Sequence, residues 1–260
     1  TWTKALSALA LADAIEESTG VPTAPLFWAA TDDADFAEAS WTMLARPGGV
    51  DRIALDSPPT DGVRMIDVPL PDMTPLIDRL ARACGSSADP RPLDLVRAAY
   101  ARGATVGSAY VGLLRGILEP LGIAVLDAAH DAATRAAHPV LIRALHERER
   151  VARAIAERGA AIRAGGFEPQ VSEIEDLTLV FERRDGRRVR VSRQRAAVTA
   201  ATAEPGALSP NVLLRPVVER ALLPSVAYLA GPGELAYFAQ VSAVAEALGM
   251  EGPLAVPRWS

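Results

Sequence analysis

The feature that most constrains the fold is the alternation of short apolar runs with longer helical segments at both ends of the chain. Residues 25–30 (Pro-Leu-Phe-Trp-Ala-Ala) and 123–127 (Ile-Ala-Val-Leu-Asp) are apolar runs of strand length, typical of buried strands in a parallel sheet. Residues 225–230 and 254–257 form a second such pair around a helical segment. The alternation predicts an α/β fold of Rossmann-like topology with an open, mostly parallel sheet.

Between these ends, the sequence predicts a helical and β-hairpin insertion over residues 132–207. Residues 132–164 carry arginine and glutamate at helical spacing, typical of helices with a solvated outer face. Residues 177–193 alternate around an Asp-Gly turn, which predicts a hairpin. Residues 196–207, rich in alanine and threonine with Pro and Gly, are typical of a loop. We therefore predict one core domain over residues 1–260 that contains this insertion.

The remaining segments follow from periodicity and from turn residues. Short strands are predicted over residues 52–56 and 64–69. Helices are predicted over residues 1–19, 72–83, 92–101, 108–121 and 234–248.

Composition narrows the class of function. The formal charge of −5 argues against a sequence-independent nucleic-acid binder, which carries a basic excess on one face. No apolar run approaches the roughly 18 residues that cross a bilayer, and no signal-peptide pattern is found, so we expect a cytoplasmic protein. Cys84 is the only cysteine, which excludes an internal disulfide and a cysteine-based metal cluster. Small molecules are the expected partners.

Lysine is used once in this chain. Lys4 is the only lysine among 27 cationic residues, and all the others are arginine. One interpretation is a composition biased towards arginine and alanine, with Lys4 left over. The other is a specific role for a lysine at the start of the first predicted helix.

Three acids follow the first predicted strand. Asp32, Asp33 and Asp35 lie within four residues, at the carboxyl end of the strand, where open parallel sheets bind ligands. Their mutual repulsion is relieved by a cation, a donor network or water. Magnesium bound to a nucleotide fits, since it prefers one or two carboxylates plus phosphate oxygens. The alternative is a solvated acidic loop.

A glycine-containing turn, Gly231-Pro232-Gly233-Glu234, joins a predicted strand to a predicted helix. Its backbone N–H groups and the helix N-terminus favour an anion. The alternative is a tight turn in which Glu234 only complements the helix dipole. The turn matches neither a Walker loop nor the full dinucleotide fingerprint.

The arginines between Arg183 and Arg195 form a basic hairpin. Such a hairpin could meet phosphate, and the alternative is a plain solvated hairpin.

Several segments together resemble the bacillithiol-biosynthesis family of cysteine-adding ligases. Near the start, Thr3-Lys4-Ala5 opens a helix, and an apolar strand then leads to an acidic Asp-Phe turn. The other matching segments are Gly166–Val171, Leu208–Pro210, Asn211–Glu219, Leu223-Pro224, Ala227-Tyr228, Gly231–Glu234, Ala236-Tyr237, Ala239-Gln240 and Val256–Arg258. Together they extend over most of the chain.

The resemblance implies a Rossmann-like core of nucleotidyltransferase type. It implies a ligase that adds L-cysteine to glucosaminyl-malate in the last step of bacillithiol synthesis. ATP, with Mg²⁺, would activate the cysteine carboxylate, as an adenylate, and the sugar amine would attack it to form the amide. A homodimer held by a coiled coil is implied for the longer protein.

The resemblance also implies roles for particular residues. Lys4 would lie near phosphate, and the catalytic acids Asp32, Asp33 and Asp35 near the amine or a magnesium-bound nucleotide. Arg215 could meet a malate carboxylate through two parallel hydrogen bonds. No metal bound by the protein itself is expected. The predicted substrate- or nucleotide-binding residues are Lys4, Asn211, Arg215, Gly231, Gly233, Glu234, Tyr237 and Gln240.

The sequence departs from the family pattern at Ala34, where relatives generally carry histidine in an acidic Glu-Asp-His-Asp-Phe motif. The family's strand and Gly-rich loop before Thr1, and its coiled coil after Ser260, lie outside this sequence, so we expect a fragment. Two alternatives therefore stay open. One is a catalytically silent relative that serves as a nucleotide-binding or interaction module, and the other is a related amide ligase with another amine substrate.

Overall fold

The computed structural model of the protein describes residues 1–46, 48–55, 59, 61–85, 89–172 and 175–259. The chain divides into two compact units. Unit 1 consists of Thr1–Thr23 and His130–Ser260, and unit 2 consists of Ala24–Ala129. The predicted insertion, residues 132–207, falls within unit 1.

Unit 2 is built on one pair of parallel strands. In chain order its elements are β1 (Leu26–Ala29), α2 (Phe36–Ala39), β2 (Trp41–Arg46), β3 (Gly49–Ala54), a 3₁₀ turn (Met65–Asp67), α3 (Thr74–Cys84), α4 (Arg91–Ala99), α5 (Val106–Leu118), a second 3₁₀ turn (Glu119–Leu121) and β4 (Ala124–Asp127). β1 and β4 pair in parallel, from Leu26 opposite Ala124 to Ala29 opposite Asp127. The two apolar runs thus form strands as predicted, and β2 and β3 form an antiparallel hairpin.

The predicted strand over residues 64–69 is wrong, because this segment contains the first 3₁₀ turn. Its backbone bonds to the loop after β1: Met65 N–H donates to Asp33 O at 2.8 Å, and Ile66 N–H donates to Thr31 O at 3.1 Å. Helix α5 lies directly against the turn, since a Cβ built on Gly107 would be 2.7 Å from Ile66 Cα. These contacts fix the loop after β1 from one side.

Unit 1 contains the remaining elements. They are α1 (Trp2–Thr19), α6 (Asp131–His146), α7 (Arg148–Ala164), β5 (Leu177–Arg184), β6 (Arg187–Ser192), α8 (Ala196–Thr202), β7 (Leu208–Pro210), α9 (Arg215–Leu222), β8 (Tyr228–Ala230), α10 (Pro232–Leu248) and β9 (Ala255–Pro257). β8 and β9 are parallel, with Tyr228 opposite Ala255, and α10 connects them as predicted. The helical prediction over residues 132–164 is realised as two helices, α6 and α7.

The core of unit 1 lies between its helices and the sheet of β5, β6 and β7. Helix α10 is apolar on most of its surface, which is typical of a helix buried on several sides. The largest side chains fully buried in this core include Leu141, Leu145, Leu214, Leu248, Gln240, Val180 and Val217. Gln240 is the polar member of that set.

The hairpin over residues 177–193 is confirmed, with β5 and β6 antiparallel and β7 added beside β5. Asp185 (φ 50°) and Gly186 (φ 75°) both adopt left-handed backbone, as a tight hairpin turn requires. The predicted loop at residues 196–207 is wrong over Ala196–Thr202, which forms α8. Alanine is the strongest helix former, and Ala196 and Thr199 are buried, so composition typical of a loop is overridden by packing.

The α/β, Rossmann-like class is confirmed, and the sheets are open and partly parallel. Parallel pairing occurs in β1–β4 and in β8–β9, while the other two sheets are antiparallel. Among the helices in the described ranges, none is long and apolar enough to span a membrane.

Candidate functional site

The single lysine lies at the N-terminal end of α10. Lys4 is in the first turn of α1, and its Nζ donates a hydrogen bond to Glu234 Oε1 at 2.5 Å. The two side chains are 27% and 29% exposed, so the ion pair is partly shielded from water. The same ammonium lies 4.8 Å from the centre of the Tyr228 ring, within the range of a cation–π interaction.

Glu234 connects three elements of unit 1. Its Oε2 accepts the Gly231 N–H at 2.7 Å, which satisfies one of the free donors at the start of α10. Its Oε1 also accepts from the Tyr228 hydroxyl at 3.3 Å. Because β8 ends at Ala230 and α10 begins at Pro232, this carboxylate holds the strand-to-helix turn and α1 together. We call Lys4, Tyr228, Gly231 and Glu234 the lysine cluster.

Two tyrosines, Tyr228 in the cluster and Tyr237 beside it, have phenol groups whose pKa is raised. Burial raises the pKa of the Tyr228 phenol, and the carboxylates of Glu219 and Glu234 raise it further. Burial, followed by Glu234, raises the pKa of Tyr237 to about 12, while Arg215 acts in the opposite direction. At neutral pH both phenols are therefore neutral hydrogen-bond donors. The carboxylates and Arg215 are close enough to influence both rings.

The two glycines of the turn have different surroundings. A Cβ on Gly231 would lie 3.3 Å from Arg258 Nε and 3.4 Å from Glu234 Oε2, so the missing side chain leaves room for both charged groups. A Cβ on Gly233 would meet nothing within 4 Å. Space is therefore open beside the first turn of α10.

Two predicted binding residues make hydrogen bonds within the protein. Asn211 Oδ1 accepts from the backbone N–H groups of Leu213 (3.2 Å) and Leu214 (3.0 Å), which holds the turn that leads into α9. Gln240 is 1% exposed, its Nε2 donates to Val171 O at 2.8 Å, and its Oε1 accepts from Val171 N–H at 3.1 Å. Both side chains thus fasten backbone segments, and their contact with substrate stays a prediction.

The acidic turn belongs to unit 2. Asp32 is 4% exposed, directly beyond the end of β1. Asp33 Oδ1 accepts from the Ala34 N–H at 2.9 Å, and Asp35 Oδ1 accepts from the Glu38 N–H at 3.1 Å as the N-cap of α2. Backbone N–H groups thus hold both of these carboxylates, and Asp35 is also exposed to solvent. Within the described part of the chain, no group of three or more His, Cys, Asp or Glu side chains could hold a metal ion.

Sequence reasoning did not select Asp127, which ends β4. The Thr31 hydroxyl donates to Asp127 Oδ1, and this oxygen also accepts the Ala129 N–H at 3.0 Å. Two signals could have identified the residue: its predicted strand ends in aspartate, and the carboxyl ends of parallel strands meet at one sheet edge. Asp127, the last residue of β4, thus lies at the same sheet edge as the buried Thr31 and Asp32, which follow β1.

The structure gathers part of the predicted set. Lys4, Gly231 and Glu234 share hydrogen bonds, and Tyr237 lies in the electrostatic surroundings of Glu234. The three aspartates belong to the other unit. The hydrogen-bond partner of Lys4 lies in the first turn of α10.

Comparisons with known proteins agree on one family. Residues 1–259 match the family described as bacillithiol biosynthesis BshC, N-terminal Rossmann-like domain. Three similar proteins share the name "Putative cysteine ligase BshC". The protein of Koribacter versatilis is 34% identical over 257 residues, covering 93% of this chain and 48% of the relative. That of Solibacter usitatus is 31% identical (98% and 50% covered), and that of Salinibacter ruber is 30% identical (99% and 50% covered). The chain spans about half the length of the curated relatives it matches.

Proposed function

Because this chain belongs to the BshC family of bacillithiol biosynthesis, through its N-terminal Rossmann-like domain, we propose that it is the nucleotide-binding part of a cysteine ligase. The proposed reaction joins the carboxylate of L-cysteine to the amine of glucosaminyl-malate as an amide. ATP, as the co-substrate, would supply the activation of that carboxylate. The role of the protein is then to position the reactants and to stabilise negative charge.

The lysine cluster is the observation that carries this proposal. It combines the end of a parallel strand, the N-terminus of a 17-residue helix and the only lysine of the chain. Helix N-termini at this position attract phosphate, because their backbone N–H groups and the helix dipole favour negative charge. The open space beside Gly233 leaves a path for such a group. These residues fit a phosphate of ATP.

Glu234 is the internal competitor for that phosphate. Its carboxylate accepts from Lys4 Nζ and from Gly231 N–H, which are the two donors that we assign to phosphate. The proposal therefore requires one or both donors to exchange Glu234 for the nucleotide. Glu234 holds the lysine side chain in place until that exchange.

The other role assignments extend the same proposal. We place Arg215 against a malate carboxylate, which suits a planar guanidinium, and Tyr237 as a neutral donor to substrate. Asp32, Asp33 and Asp35 are assigned to the amine or to magnesium on the nucleotide. In the latter case Mg²⁺ is carried mainly by phosphate oxygens, as its preference for few protein ligands allows. The implied homodimer and cytoplasmic location stay predictions.

Nucleotide binding tests the assignment of Lys4. Titration calorimetry of MgATP into the protein should show a dissociation constant that rises about tenfold or more in Lys4→Met, since a charge-assisted bond is lost. Lys4→Arg should retain part of the affinity. Glu17→Gln, a change on the exposed part of the same helix, should bind like the wild type. Equal affinity in the wild type and Lys4→Met would contradict the phosphate role.

One observation favours a second candidate, a silent relative that binds nucleotide without turnover. Ala34 carries no imidazole, and the neighbouring Asp33 and Asp35 carboxylates already bond to backbone N–H groups. Cysteine-dependent exchange of pyrophosphate into ATP separates the two candidates. Exchange by the wild type supports the ligase, whereas MgATP binding with exchange only in Ala34→His supports the silent relative.

A further inference from the structure

The basic hairpin is not uniformly solvated. Arg190 on β6 is half-buried, and its Nε donates to the backbone oxygen of Thr178 at 2.7 Å. That oxygen belongs to a β-bulge: between the pairs Leu177–Ser192 and Phe181–Arg190, three residues of β5 face one residue of β6. The Thr178 hydroxyl donates to Val191 O at 2.8 Å and so holds the bulge in place. β-Bulges commonly re-aim side chains beside functional sites.

Arg190 shares a small cavity in unit 1 with two further arginines, Arg148 and Arg193. The volume of this cavity is about 40 Å³. A buried water needs about 10–15 Å³, so the cavity has room for about three waters. This excludes a whole nucleotide but admits a small oxyanion or the oxyanion group of a larger molecule. The other lining side chains are mainly apolar and include Val151, Ile155, Leu179 and Leu213.

The arginines of the cavity are poorly neutralised by the protein. Arg148 Nε and Arg193 Nε are both buried without a hydrogen-bond partner among the residues that the structure describes. Glu149 lies 3.6 Å from each of these guanidinium groups, which is beyond a normal hydrogen bond, and its side chain is 60% exposed. Within the described ranges, Glu149 thus forms loose ion pairs with Arg148 and Arg193, and this one largely exposed carboxylate is shared among three positive charges. Burial also lowers the pKa of Arg190.

Buried arginine N–H groups without an acceptor lower the stability of the fold, because they lose their hydrogen bonds to water and gain none in return. A bound anion would supply the missing acceptors. Arg188, on the same strand, shows the contrast: its Nη2 donates to Pro210 O at 2.6 Å and its Nε to Ser209 Oγ at 3.0 Å. Its guanidinium therefore fastens β6 to β7. The buried Nε groups of Arg148 and Arg193 have no such acceptor in the described structure.

We infer that the cavity formed by Arg148, Arg190 and Arg193 is a binding site for one oxyanion group, a carboxylate or a phosphate, of a small molecule. The inference is independent of the nucleotide role proposed for Lys4, and a Lys4→Met variant should keep this site. The guanidinium groups supply the charge-assisted donors, and the apolar wall favours a ligand with a short hydrocarbon part beside its anionic group.

Calorimetry with inorganic phosphate, acetate and chloride at constant ionic strength tests the inference. The wild type should bind phosphate or acetate more tightly than chloride, and the preferred anion distinguishes the two chemistries. The double variant Arg148→Gln, Arg193→Gln should weaken that binding about tenfold or more. The matched control is Arg187→Gln, an exposed arginine of the same hairpin, which should bind like the wild type. Binding no tighter than that of chloride, or an equal loss in the control, would overturn the inference.

A titration of the unaltered protein keeps the test valid if the double variant does not fold. In ¹⁵N–¹H spectra of arginine side chains, added phosphate or acetate should shift the Nε–H signals of Arg148 and Arg193 at anion concentrations that leave Arg187 unchanged. Uniform small shifts of all arginine signals would mean non-specific screening and would overturn the inference.

Discussion

The ion pair between Lys4 and Glu234 can be tested by its coupling energy. Lys4→Met and Glu234→Gln should each lower the free energy of unfolding. In the double variant we expect a loss smaller than the sum of the two single losses. The Nζ–Oε1 distance of 2.5 Å and side-chain exposures of 27% and 29% place the pair between exposed and buried cases. Exposed pairs contribute about 0.2–1 kcal/mol, and losing one partner of a buried pair costs about 3–5 kcal/mol. A coupling energy of about 1–2 kcal/mol is therefore expected.

Glu234→Ala should be more damaging than Glu234→Gln. The amide of glutamine can still accept from the Gly231 N–H, whereas alanine removes that cap as well as the bonds to Lys4 and Tyr228. Loss of a helix cap costs about 0.5–2 kcal/mol. We expect the free energy of unfolding to fall by about 1–2 kcal/mol in Glu234→Gln and by about 2–4 kcal/mol in Glu234→Ala.

The assay is urea unfolding of the wild type, both single variants and the double variant, followed by circular dichroism and tryptophan fluorescence. Since the chain has two compact units, a single free energy is meaningful only where both signals coincide. Hydrogen exchange of the α10 amides in the native state gives an independent value within unit 1. A coupling energy within about 0.3 kcal/mol of zero, near the limit of additivity, would refute the reasoning that the pair is a shielded contact.

Three further predictions concern stability. Gln240→Leu should lower the free energy of unfolding by about 1–3 kcal/mol in urea titrations, because the partly buried N–H and C=O groups of Val171 lose their hydrogen-bond partners. An unchanged unfolding midpoint would contradict this role of Gln240. Gly107→Ala should lower the melting temperature, because the added Cβ would lie 2.7 Å from the backbone of the neighbouring 3₁₀ turn. Overpacking of this kind costs about 1–3 kcal/mol of stability. Gly112→Ala, in the same helix with ordinary contacts at 3.8 Å, should leave or raise it, and equal losses would rule out a local clash. Burial raises the pKa of Tyr237 in the folded protein to about 12, above the ordinary value of 10. The stability that this shift contributes is therefore complete below pH 10 and is lost as the pH rises towards 12. The free energy of unfolding of Tyr237→Phe should depend less on pH between these values, and the same pH dependence as in the wild type would contradict the shift.

Much of the fold could be predicted because its elements carry local signals. The buried strands β1 and β4 follow from their apolar runs, and the hairpin follows from its Asp-Gly turn, whose two residues both adopt left-handed backbone. The predictions for residues 64–69 and 196–202 were wrong because these segments carry no such local signal. Their conformation depends on partners distant in sequence: the loop after β1 in the first case and the burial of Ala196 and Thr199 in the second.

The candidate site could be predicted only as separate pieces. The sequence draws attention to Lys4 because it is the only lysine, and to Glu234 because it lies in a glycine-containing turn. Since 230 residues separate them, their hydrogen bond depends on tertiary packing. The same holds for the arginine cavity. The sequence pattern indicates a basic hairpin, whereas the bulge at Thr178 and the approach of Arg148 from α7 determine which arginines are buried.

The most direct test of the proposed ligase is product formation. The protein is mixed with MgATP, L-cysteine and glucosaminyl-malate, and the thiol product is followed by mass spectrometry, with Lys4→Met and Ala34→His as parallel samples. The proposal predicts the cysteine amide of glucosaminyl-malate from the wild type and a large loss in Lys4→Met. No product from the wild type, with product only from Ala34→His, would contradict it and would indicate a fold retained after its chemistry was lost.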